Sequence, residues 1–381
     1  MSVMVEELRA RIAAIDSEIQ LQRRLLEKLE RDKNLAQRQL NAALDPVARL
    51  PLEISSEIFL QALPTSPSEE QDIPTVLLRI CHAWADIALD TPRLWTTVCI
   101  HFPCGDHFAE VLPIWFRRAR NFPLSVSIFL CGPSSNWNHR VSDELWRHGG
   151  QLKYLEILDN DDLDSDDDSD TIDLFGDTPS VSLKLLQTLT IRCQHQRRVY
   201  RASQILQLLR GAPNIVEYVS DRVWTGNNQE LESLVVPTLR RVIFRETSHG
   251  DDEIFRYLSL PALGALSLPM HYISGGILLA CVQRSAAPLR DLALGWEFNV
   301  MDSVQLHECL RLVPSLIRFR MWRPKSHVVT ELFTALAASP SLLPDLQDLT
   351  IDILDTTNSP SNIPDPSWGT LVRALSTRRV E

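Results

Sequence analysis

The chain has 381 residues, 44% of them hydrophobic and 23% charged, which excludes global disorder. Its net charge of −11 is concentrated: residues 159–177 hold ten Asp and no Lys, Arg or Glu, leaving about −1 for the rest. A near-neutral body has no net basic face with which to release counterions, and this argues against a nucleic-acid partner. Length alone predicts about two or three structural units.

Residues 5–44 read as one long helix, with no Pro or Gly in the run. With Val5 at heptad position a, the a and d positions are Val5, Leu8, Ile12, Ile15, Ile19, Gln22, Leu26, Leu29, Lys33, Ala36, Leu40 and Ala43. Ten of these twelve are apolar, a period of 3.5 sustained over more than five heptads. The stripe predicts either a coiled-coil partner, a second copy included, or a helix that folds back on its own domain. Asp45-Pro46 ends it, because proline lacks a donor and clashes with the preceding turn.

Residues 47–100 read as compact and helical. Leu50-Pro51 opens a helix carrying Ile54, Ile58 and Leu63. A polar, proline-containing loop follows. A second helix, TVLLRICHAWADIALD, places Leu77, Ile80, Cys81, Trp84, Ile87 and Ala88 on one stripe. Thr91-Pro92 stops it, and LWTTVCIHF reads as a strand.

The remaining residues carry a repeat, L-x-x-L-x-L with other large apolar residues allowed. It starts at Leu152, Leu186, Ile215, Leu239, Leu263, Leu289, Leu316 and Leu346, at spacings of 24 to 34 residues. Amphipathic stretches precede several copies: ASQILQLLRGAPN, ISGGILLACVQRS, SVQLHECLRLVPS and HVVTELFTALAASP. One such unit cannot bury its apolar strand alone, so neighbours stack. The pattern is similar to that of leucine-rich-repeat solenoids and predicts a curved parallel sheet with outer helices. The final stretch, WGTLVRALSTRRVE, reads as a helix without its following strand.

The charged segment 159–177 reads as a solvated loop inserted in the early repeats, since like charges at this density repel. Its nearest counter-charge is the cluster Arg192, Arg197, Arg198 and Arg201. It lacks the glycine and glutamate placement of a calcium-binding EF-hand loop.

Chemistry-bearing motifs are missing. No phosphate-cradling glycine loop, nucleophile elbow or H-E-x-x-H is present, so no cofactor and no enzymatic activity are expected. Cys99, His101, Cys104 and His107 are the densest set of metal-ligand types. Their spacing matches no zinc site, and they read as structural. Seven widely spaced cysteines, an odd number, read as reduced thiols of a cytoplasmic or nuclear protein. The N-terminus has no signal-peptide h-region. Leu258–Gln283 is uncharged and long enough to span a bilayer, but prolines and glycines interrupt it, and no membrane span is expected.

One resemblance is specific. LPLEISSEIF from Leu50, ICHAW from Ile80 and PRLW from Pro92 have the order and residue types of an F-box. The long polar loop and Ala83 before Trp84 depart from the usual pattern. With the heptad helix before it and degenerate leucine-rich repeats after it, the layout resembles F-box families expanded in mushroom-forming fungi. The resemblance implies a non-catalytic substrate receptor of an SCF-type cullin–RING ubiquitin ligase. It implies a Skp-family adaptor bound through the F-box, the cullin reached through that adaptor, and a protein substrate on the repeats. The adaptor-binding set would be Leu50, Pro51, Ile54, Ile58, Ile80, Cys81, Trp84 and Trp95, with Leu50, Pro51 and Ile54 as the foremost contacts and the tryptophans more suited to the interior. The alternative is a structural scaffold whose F-box-like fold recruits no ligase. The expected class is α/β: a coiled-coil helix over 1–45, an all-helical F-box over 46–100 and a repeat domain over 101–381.

Overall fold

The computed structural model describes residues 2–63, 73–160, 171–176, 181–193, 199–226, 231–247, 254–268, 270–271, 273–295, 302–339, 341–352, 369–370 and 372. Residues 161–170 of the acidic segment, Arg197 and Arg198 lie outside them, as does most of the expected C-terminal helix. The chain is a mixed α/β protein that divides into two compact units, Met1–Trp95 and Thr96–Glu381.

The first unit is helical. Helix α1, Ser2–Leu44, runs without interruption, as its sequence dictates. Its seam residues Leu8, Ile12, Ile15, Ile19, Leu26, Leu29 and Leu40 are 43–58% exposed, so the fold-back alternative is not what the chain adopts. Asp45 fastens the end of the helix. One of its carboxylate oxygens accepts from the Val47 backbone N–H at 2.8 Å, and the other accepts from the Trp84 indole N–H.

Helix α2, Leu52–Gln61, begins just after Pro51. The single helix expected next is two: α3, Ile73–Ile80, and α4, His82–Leu89. The break falls at Cys81, which is extended at φ −157°, ψ 171°. No Pro or Gly marks it. The buried Cys81 thiol lies 3.9 Å from Asp45 instead of continuing the stripe. A 3₁₀ turn, Pro92–Trp95, closes the unit.

The second unit is built on a ten-stranded parallel sheet. Its strands are β1 (Thr97–Phe102), β2 (Leu124–Cys131), β3 (Leu152–Asn160), β4 (Thr188–Cys193) and β5 (Glu217–Asp221), then β6 (Arg241–Phe244), β7 (Ala265–Leu268), β8 (Asp291–Gly295), β9 (Arg318–Trp322) and β10 (Asp348–Asp352). They lie side by side in chain order, with no reversal of direction along the sheet. The expected boundary at residue 100 therefore moves to 95/96, because β1 pairs along its whole length with β2.

Each of the eight repeat motifs leads into or lies in one strand, β3 to β10. Register aligns the central motif residue across the sheet: Val98, Val126, Leu155, Leu189, Tyr218, Val242, Leu266, Leu292, Phe319 and Leu349 form one row. All but Leu349 are buried. Burying a side chain of this size contributes about 1.5–3 kcal/mol, and stacking repeats is the only way each strand obtains it. Strands β1 and β2 continue the row without carrying the motif.

Helices cross between most strands: α5 (Phe108–Ala119), α6 (His139–Arg147), α7 (Ala202–Gly211), α8 (Ile254–Tyr257), α9 (Gly275–Ser285), α10 (Ser303–Arg311) and α11 (Ser326–Ala338). The four amphipathic stretches expected before the repeats are α7, α9, α10 and α11. Side-chain caps start three helices, by Asn138, Ser274 and Asp302, each accepting from a first-turn N–H. Polar residues just before the motifs tie neighbouring repeats together. Asn214 donates to the Lys184 carbonyl, Thr238 to that of Pro213 and Ser315 to that of Leu289, at 2.7–3.1 Å.

The reading of 159–177 as a solvated loop is corrected for its described ends. Asp159 and Asn160 complete β3, and Ile172, Leu174 and Phe175 are buried. Asp173 accepts from the backbone N–H groups of Phe175 and Gly176, both at 3.1 Å, and from the Gln204 amide at 2.7 Å. Ile172, Leu174 and Phe175, interspersed among the acidic residues, anchor its described C-terminal part. No described helix is long and apolar enough to cross a membrane. Within the uncharged stretch 258–283, the described residues include a two-residue strand, β7 and α9.

Candidate partner-binding surfaces

In the first unit, the F-box-like residues separate into two groups. Trp95 is fully buried and its indole N–H donates to the Ala88 carbonyl at 2.8 Å. Cys81 is buried as well. Trp84 is half-buried, its ring 4.9 Å from that of Phe59. Trp95 is thus placed in the interior, as the sequence reading preferred for the tryptophans, and Cys81, also read as a contact residue, is buried with it.

Leu50, Pro51, Ile54, Ile58 and Ile80 are exposed, Ile54 at 51%. The cause is helical geometry. Ile54 and Ile58 are four residues apart on α2 and share one face, while Ser55 and Phe59 turn inward. The Ser55 hydroxyl donates to the Val47 carbonyl at 3.0 Å, and Ser56 hydrogen-bonds Thr91 at 2.8 Å, so α2 is held by polar contacts on its inner side. On α3, Val76 and Ile80 repeat the spacing and are exposed, while Leu77 is buried. Leu52 and Val76 were not singled out from sequence. The signal that finds Val76 is its place one residue before the buried Leu77, on another side of α3; Leu52 lies two turns before Phe59 on the same side of α2, and its exposure is not signalled by helical position.

In the second unit, the residues alternating with the core row form the other sheet face. Near its start this face is largely closed. Ser127, Glu156 and Thr190 lie in one register row and are all buried. Glu156 is approached by the Ser127 hydroxyl at 3.5 Å and by Arg192 at 3.7 Å. Burial, and then the Glu156 charge, push the Tyr154 phenol above its usual range.

Toward β10 the face opens and is charged. Register places Asp291, Arg318 and Asp348 side by side, with Ala293, Arg320 and Thr350 in the next row. The Arg318 guanidinium donates to both carboxylate oxygens of Asp291, and these bonds hold that carboxyl below its ordinary value. Arg320 is exposed and has no carboxylate beside it in register. Trp322, 39% exposed, lies between Gly295 and Asp352. Two further pairs line the same face: Arg241 with Glu217 and Arg245 with Asp221, both at 3.7 Å. Sequence reading missed Arg320 and Trp322, although they alternate with the buried Phe319 and Met321; register decides only which residues lie beside them.

Cys99 and His101 occupy one face of β1, where the His101 ring stacks on Phe129 at 4.6 Å. Burial, and then the Asp106 charge, raise the Cys104 thiol to about 11. Among the described residues no group of His, Cys, Asp and Glu could hold a metal ion. No family model matches this chain, and no curated protein matches its sequence.

Proposed function

We propose that the chain is a non-catalytic substrate receptor of an SCF-type cullin–RING ubiquitin ligase. In this reading the first unit engages a Skp-family adaptor, and the second, a leucine-rich-repeat solenoid, holds a protein substrate. The observation that carries it is the exposed apolar set Leu50, Pro51, Ile54, Ile58 and Ile80 on a small helical unit whose sequence resembles an F-box. Apolar residues gathered on one module and left in water favour a partner.

The chain-ordered parallel strands carrying L-x-x-L-x-L support the solenoid reading. The open sheet face over β6–β10 supports substrate binding, because exposed Trp and Arg are the side chains that most often anchor protein interfaces. The ubiquitin chemistry would belong to other subunits.

The test is a calorimetric titration of the purified full-length chain with a Skp-family adaptor. Binding at micromolar affinity or tighter is expected, with one adaptor per chain. A wild-type chain that shows no heat and no co-elution overturns the reading.

A further inference from the structure

We propose that α1 pairs with α1 of a second copy of this chain, parallel and in register. The seam is available, since Leu8, Ile12, Ile15, Ile19, Leu26, Leu29 and Leu40 are all exposed along one stripe of a 43-residue helix. What identifies the occupant is the charge pattern beside the seam.

With Val5 at position a, Arg11, Glu18, Leu25 and Asp32 occupy position g, and Asp16, Arg23, Glu30 and Gln37 occupy position e. In a parallel pair, each g residue faces the e residue five positions further along in the other copy. Arg11 then faces Asp16, and Glu18 faces Arg23. Leu25 faces Glu30, and Asp32 faces Gln37. The two-fold axis doubles each contact, so both charged pairs flanking the seam are opposite in sign, and the one like-charge contact is Lys33 with Lys33 inside it. The helix complements itself without needing a different partner.

The seam composition points the same way. Val5, Ile12 and Ile19 are β-branched at a with Leu8 and Leu29 at d, a preference of two-stranded coils that Ile15 at d and Leu26 and Leu40 at a dilute. Lys33 is the single charged a residue and Gln22 the single polar d residue, and in register each meets its own kind. One polar a position is a device that fixes register and strand number at a cost in stability.

The competing arrangements are antiparallel. Full overlap sets Glu18 against Asp32, Asp16 against Glu30 and Arg23 against Arg23, all like charges. A shift of one heptad relieves this by pairing Arg11 with Asp32 and Asp16 with Arg23. That register leaves Leu40 and Ala43 outside the overlap and sets Lys33 against Leu8 and Gln22 against Ile19. The parallel arrangement covers the whole seam.

The inference stands apart from adaptor binding, since its test uses this chain alone. Sedimentation of the full-length protein under reducing conditions, from sub-micromolar to tens of micromolar, is expected to approach twice the 43.3 kDa monomer mass. Glu18→Arg faces Arg23 of the other copy and should raise the dimer Kd about ten-fold, and Arg23→Glu should do the same. An equimolar mixture of the two variants should restore a dimer as tight as wild type, because both cross-pairs are again opposite in sign. Asp32→Arg faces Gln37 and should leave the Kd unchanged. A monomer at every concentration overturns the proposal. So does weakening by Asp32→Arg with Glu18→Arg silent, which is the signature of the shifted antiparallel pair.

Discussion

Ile54 and Ile58 in the first unit and Leu292 and Phe319 in the second are all large apolar residues on regular elements. The first two are exposed and the second two are buried. The difference lies in what stands next to each element. Every strand of the second unit has a neighbour in the same register on at least one side, so one apolar row runs across the sheet. Helices α1, α2 and α3 each carry an apolar stripe that the unit does not cover. The second unit spends its apolar periodicity on its own stability, and the first leaves part of its periodicity exposed to water.

The contrast sets the expected size of a truncation. Phe319→Ala removes a fully buried ring from the centre of the row and should destabilise the protein by about 3–5 kcal/mol, read by chemical denaturation followed by circular dichroism. A loss below about 1 kcal/mol would mean that this row is not the core.

Truncating Leu50, Pro51 and Ile54 together to Ala should do the reverse. Stability should change by no more than about 1 kcal/mol, because the side chains are already in water. Adaptor binding measured on the same protein should weaken by roughly 2–4 kcal/mol. Undiminished binding would place the docking face elsewhere on the unit.

A third substitution sharpens the comparison within the second unit. Asp173 belongs to the acidic run, yet it accepts two backbone N–H groups and the Gln204 amide. Asp173→Ala should cost about 1–3 kcal/mol, since it leaves those donors without their acceptor. A thermal melt that does not move would return this part of the run to the role of a solvated loop.

The smallest effect concerns pH. The Asp291 carboxyl is held low by the Arg318 hydrogen bonds. A carboxyl with a lower pKa folded than unfolded stabilises the protein above its unfolded value, near 4, and that contribution disappears as pH falls through the folded value. Wild type should therefore lose slightly more stability than Asp291→Asn on acidification below about pH 4, and the two should run parallel above about pH 5. Parallel curves throughout would show that the pair contributes nothing, as is common for exposed ion pairs.

Much of the fold was readable because it is periodic. The heptad run fixed α1, and the repeats located eight of the ten strands and the helices α7, α9, α10 and α11. Strands β1 and β2 were harder. β1 was read as a strand but assigned to the wrong unit, and β2 carries no leading motif residue. The break at Cys81 was invisible because it carries no helix breaker; the thiol at the break is buried near Asp45, 36 residues away in the chain.

For the candidate surfaces, the sequence by itself determined which residues are apolar, their spacing and the charge pattern along α1. These are local properties, carried by residue type and by the 3.6, 3.5 and 2.0 periods of helix, coil and strand. Only the tertiary structure decided which stripe faces inward. It buried Trp95 and Cys81 while leaving Ile54, Ile58 and Ile80 in water. It also aligned Arg320 and Trp322 on an open face that no single repeat contains. Burial and register depend on which surface comes to lie against an element, and that surface is contributed by residues distant in the chain.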